Sequence, residues 1–163
     1  MQIREMKPSD WSQVAQIYMQ GIATGFATFE QKVPDYAIWD KAHVKECRLV
    51  AENTNSILGW AALSPVSSRC VYGGVGEVSV YVSENGRGKG IGKLLLEHLI
   101  IESEKEGFWT LQSGIFPENE ASITLHKKVG FRYIGNRERV GKIKGIWKDN
   151  LLFEKRSKIV GIS

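Results

Sequence analysis

The sequence predicts a single α+β domain over residues 1–163, in which helices cover both faces of a mixed, mostly antiparallel central sheet. Two patterns near the middle of the chain support this fold class. Val78, Val80 and Val82 alternate with other residues, as in a strand whose two faces differ. An apolar stripe at helical spacing follows that strand after a glycine-rich turn. Over the whole chain the predicted element order is β-α-α-β-β-β-α-β-α-β-β, which combines hairpins with a strand-helix-strand crossover.

The N-terminal segment predicts a short strand and a helix. The strand covers Ile3–Met6, and Pro8-Ser9-Asp10 is typical of a helix start. Asp10 and Gln13 have the spacing of a capping box. One face of the helix that follows is apolar and comprises Trp11, Val14, Ile17 and Tyr18.

The next segment predicts a loop, a second helix and a hairpin. The loop Thr24–Glu30 carries the aromatic side chains Phe26 and Phe29, and the helix begins near Pro34. Its apolar residues at helical spacing are Tyr36, Trp39, Val44 and Cys47. The hairpin consists of two strands and a polar turn, which cover Leu49–Asn53, Ile57–Leu63 and Asn53–Ser56. A linker from Ser64 to Gly74 leads to the central strand.

The C-terminal half predicts a helix that ends near Gly107, followed by shorter elements. These are a strand over Phe108–Phe116, a helix over Ala121–Val129 and a final strand pair over Phe131–Ile134 and Leu151–Lys155. Between the two final strands, a basic loop is predicted from Arg137 to Lys148.

Composition limits the classes of function. The 163 residues are 25% charged and 42% hydrophobic, as in an ordinary globular domain, and the net charge of +4 suits an anionic ligand. Cys47 and Cys70 form no C-x-x-C pair, and the chain has neither a signal-like leader nor a long apolar run. We therefore expect a reduced, cytoplasmic protein that does not bind membranes. The three histidines show no metal-ligand spacing, so no metal is expected.

The glycine-rich turn after the central strand predicts a phosphate site. Glycines at 86, 88, 90 and 92 alternate with basic residues and precede a helix N-terminus, where main-chain N–H groups favour an anion. The turn is not a nucleoside-triphosphate loop, because Leu94 stands where that loop has Ser or Thr. A dinucleotide fingerprint is disfavoured because the glycines are spaced G-x-G-x-G and Gln112 stands near the place of the required acidic residue.

Two blocks of sequence resemble the GCN5-related N-acetyltransferase (GNAT) family. The string Arg87-Gly88-Lys89-Gly90-Ile91-Gly92 resembles that family's acetyl-CoA pyrophosphate loop. The segment from Asn119 to Phe131 resembles its second signature, an Asn followed by a helix and Gly-Phe. Within the family, the chain is similar to the phosphinothricin and methionine sulfoximine N-acetyltransferases in four features. These are Ala27–Glu30, Tyr72 five residues before Glu77, Leu125-His126, and Trp147 with Asp149.

The resemblance implies a GNAT-like fold, acetyl-CoA as co-substrate, a homodimer and a link to antibiotic or herbicide resistance. Its implied contacts to the cofactor are Val80, Tyr81 and Val82 through their main chain, the loop residues Arg87, Gly88, Lys89, Gly90, Ile91 and Gly92, and Lys93, Asn119 and Lys128. Lys93 and Lys128 would meet the phosphates, and the main-chain N–H of Val80 would serve as a donor to the acyl oxygen.

Acetyl transfer also requires a base, because an ammonium has no lone pair and a free α-amine titrates near about 8. Glu77 is the candidate base, on the strand face opposite Val78. His126 is either the acid that protonates the leaving thiolate or a structural residue. For the acceptor, Arg69 and Tyr72 are candidates to bind a carboxylate, and Phe29 would form a wall. An equally open alternative is that Arg69 is an ordinary surface residue.

The predicted function is acetylation of the α-amine of a small amino acid or analogue by direct attack in a ternary complex. One alternative is acetylation of another amine, such as a protein N terminus, a lysine or a polyamine. Two non-catalytic alternatives are an acyl-CoA-binding module and a nucleic-acid-binding module that uses the basic segment near Trp147. The main prediction includes no nucleic-acid partner.

Overall fold

The computed structural model describes all 163 residues. Its strands are β1 Gln2–Glu5, β2 Leu49–Glu52, β3 Ile57–Pro65, β4 Val75–Val82, β5 Thr110–Ile115, β6 Arg132–Ile143 and β7 Ile146–Arg156. Its α-helices are α1 Trp11–Ala23, α2 Tyr36–Ala42, α3 Ile91–Lys105 and α4 Glu120–Lys128. Short 3-10 turns precede α1, β4 and α3. The predicted element order is confirmed.

The strands form one seven-stranded sheet in the order β1-β2-β3-β4-β5-β7-β6. Every neighbouring pair is antiparallel except β4 and β5, which are parallel and are connected through α3. The predicted mixed, mostly antiparallel sheet is therefore confirmed.

The parallel pair β4–β5 separates part of the way along its length. The two strands pair at Val75, Gly76 and Glu77 of β4, the last opposite Gln112 of β5. Both strands continue beyond that point, β4 to Val82 and β5 to Ile115, without pairing with each other. A wedge-shaped gap therefore opens in the middle of the sheet.

Helices cover both faces of the sheet, as predicted. On one face, Leu95, Leu96 and Leu99 of α3 pack in a buried cluster with Val78 of β4. On the other face, α1 and α2 contribute a second cluster that contains Trp39 and Trp60, and Tyr81 packs against this cluster. Glu77 and Ser79 alternate with Val78 and so share the α1/α2 face with Tyr81. None of the four helices combines the length and apolar character that crossing a membrane requires.

Two predictions for the N-terminal half are wrong. Asp10 and Gln13 form no capping box, because the Asp10 carboxylate accepts from the Lys7 N–H and pairs with Arg4. The second helix ends at Ala42, before Val44 and Cys47, and Cys47 has a positive φ of 59°. The cause is Arg48, whose guanidinium donates to the main-chain carbonyls of Asp40, His43 and Val44 and replaces further helical hydrogen bonds.

The predicted basic loop from Arg137 to Lys148 is also wrong, because most of it lies in β6 and β7. These strands form a long hairpin in which Ile143 pairs with Ile146. The two-residue turn between them is Lys144-Gly145, and both residues have positive φ, as a tight hairpin turn requires. Charged residues are frequent in both strands, so the sequence shows no clear alternation of apolar and polar residues there.

Candidate active site

Two adjoining cavities lie at the gap between β4 and β5. The larger, of about 620 Å³, follows the N-terminal end of α3, and we call it the α3 groove. The smaller, of about 290 Å³, is lined by Glu77 and His126, and we call it the inner cavity. Both cavities are lined by Ala27, Val80, Tyr81, Asn119 and Ser122. These shared residues mark the junction where one ligand can meet another.

The start of α3 has the properties of an anion site. Gly88 and Gly90 have φ values of 75° and 78°, which side-chain-bearing residues rarely adopt, and Gly90 is the N-cap. The first hydrogen bond of the helix runs from the Leu94 N–H to the Gly90 carbonyl at 3.2 Å. The three preceding N–H groups, on residues 91 to 93, therefore have no helical acceptor and are available to an anion.

Basic side chains surround these N–H groups. Most of the predicted cofactor residues line the α3 groove: Val80, Tyr81, Val82, Arg87, Gly88, Gly90, Ile91, Gly92, Lys93, Asn119 and Lys128. Lys89 is exposed and lies outside this lining. Neither Arg87 nor Lys128 forms an ion pair within the protein, so both charges are available to a phosphate-bearing ligand.

The free edge of β4 presents main-chain groups to the gap. The Ser83 N–H donates to the Leu58 carbonyl of β3 at 2.8 Å. Because bonded residues alternate along an antiparallel pair, Tyr81 and Ser79 also bond to β3, while Val80 and Val82 direct their N–H and C=O groups toward the gap. The predicted N–H donor at Val80 therefore faces the junction of the two cavities. Tyr81 borders both cavities as well, and burial raises the pKa of its hydroxyl.

Glu77 lies where the β4–β5 pairing ends and lines the inner cavity. Its carboxylate accepts a hydrogen bond of 3.2 Å from the Gln112 side-chain amide on β5. No Lys or Arg forms an ion pair with it. The hydrogen bond fixes one carboxylate oxygen and leaves the other available to a ligand in the cavity.

His126 approaches the inner cavity from α4, on the sheet face opposite Glu77. Its Nδ1 lies 2.7 Å from the Ser122 carbonyl, which can only accept, so Nδ1 carries the proton. Nε2 is buried and has no partner in the protein, and in this tautomer it is a hydrogen-bond acceptor. Burial lowers the pKa of His126 and favours the neutral ring, although the carbonyl of Ser122 opposes this effect.

The outer wall of the inner cavity is aromatic. Phe29 packs edge-on against Phe116, with 4.7 Å between the ring centroids, and both line the cavity. The β6–β7 hairpin supports Phe29 at Gly141, where a Cβ atom would lie 2.5 Å from the ring. Phe29 thus lines the inner cavity, and Gly141 permits the close approach; its role as a wall for the acceptor stays a prediction.

Sequence reasoning missed several residues in or beside the inner cavity. Gln112 contacts Glu77, and Ser122 fixes the tautomer of His126. The i to i+4 spacing of Ser122 and His126 was a signal for that contact. Asn150 lines the cavity from β7, next to Gly114. The only local signal for it in the sequence is that a polar residue directly precedes an apolar run.

Arg69 and Tyr72 are placed differently from the other predicted site residues. The Arg69 guanidinium lies over the Tyr72 ring, 5.7 Å from its centroid. Both side chains are exposed, and neither lines the α3 groove or the inner cavity. Their role in binding an acceptor stays a prediction.

Comparison with known proteins identifies relatives that match most of the chain. Residues 11–131 match the profile described as acetyltransferase (GNAT) family. A methionine sulfoximine and methionine sulfone acetyltransferase of Pseudomonas paraeruginosa is 29% identical over 90% of this chain and 89% of its own length.

Two solved structures have the same fold. A ribosomal-protein-alanine N-acetyltransferase from Brucella melitensis superposes with a TM-score of 0.90 and 31% identity, over 96% of this chain and all of the other. YncA from Salmonella typhimurium, solved with its cofactor acetyl-CoA, has a TM-score of 0.89 and 28% identity, over 96% of this chain and 93% of its own. The similarity of fold therefore extends over almost the whole chain.

Proposed function

The chain belongs to the GNAT family of acetyltransferases, and we propose that it transfers the acetyl group of acetyl-CoA to the α-amine of a small amino acid or analogue. The proposal depends on one observation, the junction of the α3 groove and the inner cavity at Val80, with Glu77 beside it. The groove suits an extended anionic donor, and the inner cavity suits a small acceptor. The methionine sulfone acetyltransferase among the relatives supports an amino-acid acceptor.

The residues of the α3 groove fit acetyl-CoA. Its diphosphate would lie against the free N–H groups of residues 91 to 93, with Arg87, Lys93 and Lys128 around it. The gap-facing main chain of Val80 and Val82 would bind the pantetheine arm. The Asn119 side-chain oxygen already accepts from the Ser122 N–H at 3.2 Å, which leaves the Asn119 amide NH₂ for the same arm. When bound, acetyl-CoA supplies an acyl carbon activated as a thioester.

Glu77 would prepare the acceptor amine. Its carboxylate accepts the proton that the ammonium must lose before it can attack, and Gln112 holds the carboxylate in place. The Val80 N–H would donate to the acyl oxygen as negative charge develops there. Attack is then direct, with both reactants bound, and needs no covalent enzyme intermediate.

For His126, the geometry favours a hydrogen-bond acceptor over the predicted acid. A neutral ring with its proton on Nδ1 has no proton on Nε2, the ring nitrogen that is buried and has no partner within the protein. Burial lowers the pKa of His126, which opposes formation of the doubly protonated ring. We therefore assign Nε2 to an N–H or S–H of a bound reactant.

Release of CoA thiol tests this function directly. The purified protein with acetyl-CoA is supplied with free amino acids, phosphinothricin, methionine sulfoximine and sulfone, polyamines or peptides. We expect thiol release with amino acids or analogues and none with polyamines. Calorimetric binding of acetyl-CoA without thiol release for any amine would indicate a non-catalytic acyl-CoA-binding module and would overturn the proposal.

A second candidate is acetylation of a protein N terminus, which the name of the Brucella melitensis structure favours. The two candidates differ in what extends beyond the acceptor's α-carbon. A peptide that begins with Ala would outcompete free alanine as acceptor if a protein is the substrate. Free amino acids would be acetylated more efficiently if the inner cavity holds the whole acceptor.

We also propose that the protein is a homodimer. The β6–β7 hairpin supports this because several large apolar side chains on it are exposed: Tyr133, Ile134, Val140, Ile146 and Trp147. Light scattering after size-exclusion chromatography tests the proposal. A mass near twice 18.3 kDa is expected, and a monomer at all concentrations would contradict it.

A further inference from the structure

Asn150 is a buried polar residue without a partner. It lies in β7, its exposed fraction is 8%, and its side chain lines the inner cavity. The side-chain amide makes no hydrogen bond within the protein. The following residues Leu151, Leu152 and Phe153 show that this part of β7 otherwise carries apolar side chains.

The neighbouring strand makes room for this amide. The side-chain oxygen of Asn150 occupies the space that a Cβ atom on Gly114 would need. Only glycine at that position of β5 permits the observed rotamer of Asn150. The Asn150 amide makes no hydrogen bond within the protein and lines the inner cavity, so both its N–H donors and its oxygen are available to a ligand there.

The position of Asn150 relates it to the acceptor. Gly114 and Phe116 alternate with Ile115 of the α3-side core, so they lie on the sheet face of Glu77. By the register of β5 with β7, Asn150 lies opposite Phe116 and shares that face. β5 separates it from β4, and Phe116 lies four residues beyond Gln112, the partner of Glu77, so the Cα atoms of Asn150 and Glu77 are ~16 Å apart. The Asn150 side chain leans back over Gly114, which shortens the distance that a ligand must bridge. An acceptor whose amine meets Glu77 would bring its side chain toward Asn150.

The charges of the inner cavity limit what that side chain can be. Glu77 is the one formally charged residue among the fifteen that line the cavity, and none is Lys or Arg. An anionic side chain would therefore add a further negative charge, beyond the acceptor's own α-carboxylate, to a cavity that contains Glu77 and no Lys or Arg. A neutral oxygen-bearing group avoids this, because the Asn150 amide can donate to it.

Building on the proposed function, we propose that Asn150 determines acceptor specificity by hydrogen-bonding a neutral, oxygen-bearing side chain of an α-amino acid. Sulfone, sulfoximine and amide side chains belong to this class. Phosphinate and carboxylate side chains do not, so phosphinothricin is a poor acceptor.

Specificity constants for three acceptors test this assignment: L-methionine sulfone, L-methionine and phosphinothricin. For the native protein we expect methionine sulfone to exceed each of the others by about tenfold or more in kcat/KM. In Asn150→Leu, which is similar in volume, the ratio of sulfone to methionine should fall to near one. The KM for acetyl-CoA should not change, which shows that the α3 groove is intact.

Asn136→Leu is the matched control, because Asn136 lies on β6, is exposed and bonds Asp149 outside both cavities. It should keep the native ratio. If Asn150→Leu does not fold, Asn150→Ser is used instead. It should also lower the ratio of sulfone to methionine, because the shorter serine side chain does not reach the acceptor. A native ratio near one, a preference for phosphinothricin, or an unchanged ratio in a folded Asn150 variant would each overturn the assignment.

A binding measurement separates this inference from the proposed function. Methionine sulfone is titrated into the protein saturated with CoA, in which no transfer can occur. Binding that Asn150→Leu weakens about tenfold supports the assignment even if the native protein acetylates no amino acid. Lack of binding overturns the assignment, whereas lack of turnover with binding intact overturns only the proposed catalysis.

Discussion

The α3 groove and the inner cavity meet at Val80 but are built in different ways. The groove uses consecutive residues, with positive-φ glycines, free N–H groups and basic side chains between 86 and 93. The inner cavity uses side chains from the loop after α1, β4, β5, α4 and β7. Main-chain groups therefore dominate donor binding, and side chains dominate acceptor chemistry and selection.

The largest expected effect is a loss of turnover that changes the inner cavity and not the α3 groove. Glu77→Gln removes the proton acceptor, keeps the shape of the inner cavity and leaves the groove untouched. We expect kcat to fall by about 10² or more, with an unchanged calorimetric affinity for acetyl-CoA. Glu5→Gln, on the exposed surface of β1, is the control and should retain native turnover. Near-native turnover of Glu77→Gln would remove Glu77 from the mechanism.

The next effect should be confined to the groove. Gly90→Ala places a side chain at a φ of 78° in open space, so backbone strain rather than collision changes the first turn of α3. We expect about a tenfold loss in acetyl-CoA affinity, with acceptor selectivity unchanged. Gly135→Ala also fills open space, but at ordinary φ, and should bind acetyl-CoA normally. Equal affinities in the two variants would disprove the role of the left-handed turn.

A smaller effect should be confined to the inner cavity. Gly141→Ala introduces a Cβ that the Phe29 ring must move to avoid. We expect the acceptor KM to rise by about threefold, since a movable ring relieves most of the collision. The KM for acetyl-CoA should stay constant, and Gly135→Ala on the same strand again serves as control. A change in acetyl-CoA KM alone would show that the hairpin supports the groove instead.

The smallest effect concerns stability and pH. The pKa of His126 is lowered in the folded state, so below about pH 6.5 the unfolded chain binds more protons and stability falls as the pH decreases. His126→Gln lacks this pH-dependent contribution to stability. On acidification its Tm should therefore fall less than the Tm of the native protein, by a difference of about 2 °C or less. His43, whose pKa burial also lowers, is retained in both proteins. His98→Gln, on the exposed face of α3, should melt with the native pH dependence.

The contrast between the regions explains which predictions succeeded. The glycine-rich turn was readable because its function depends on local backbone geometry that Gly88 and Gly90 require. The central strand and Glu77 followed from a period-two pattern. Asn150 and Gln112 were not predictable, because the pairing of β5 with β7 brings Asn150 to the inner cavity and the pairing of β5 with β4 places Gln112 beside Glu77. The end of α2 was missed because Arg48 satisfies its carbonyls from outside the helix.

The gap-facing edge of β4 allows the acceptor of such a protein to change by mutation while its donor stays the same. Point substitution does not remove the main-chain N–H and C=O groups of Val80 and Val82, so the thioester donor stays the same under most mutations. Phe29, Phe116 and Asn150 can each be exchanged without breaking that edge. Mutant libraries limited to these three positions are accordingly the economical route to enzymes that acetylate new amines.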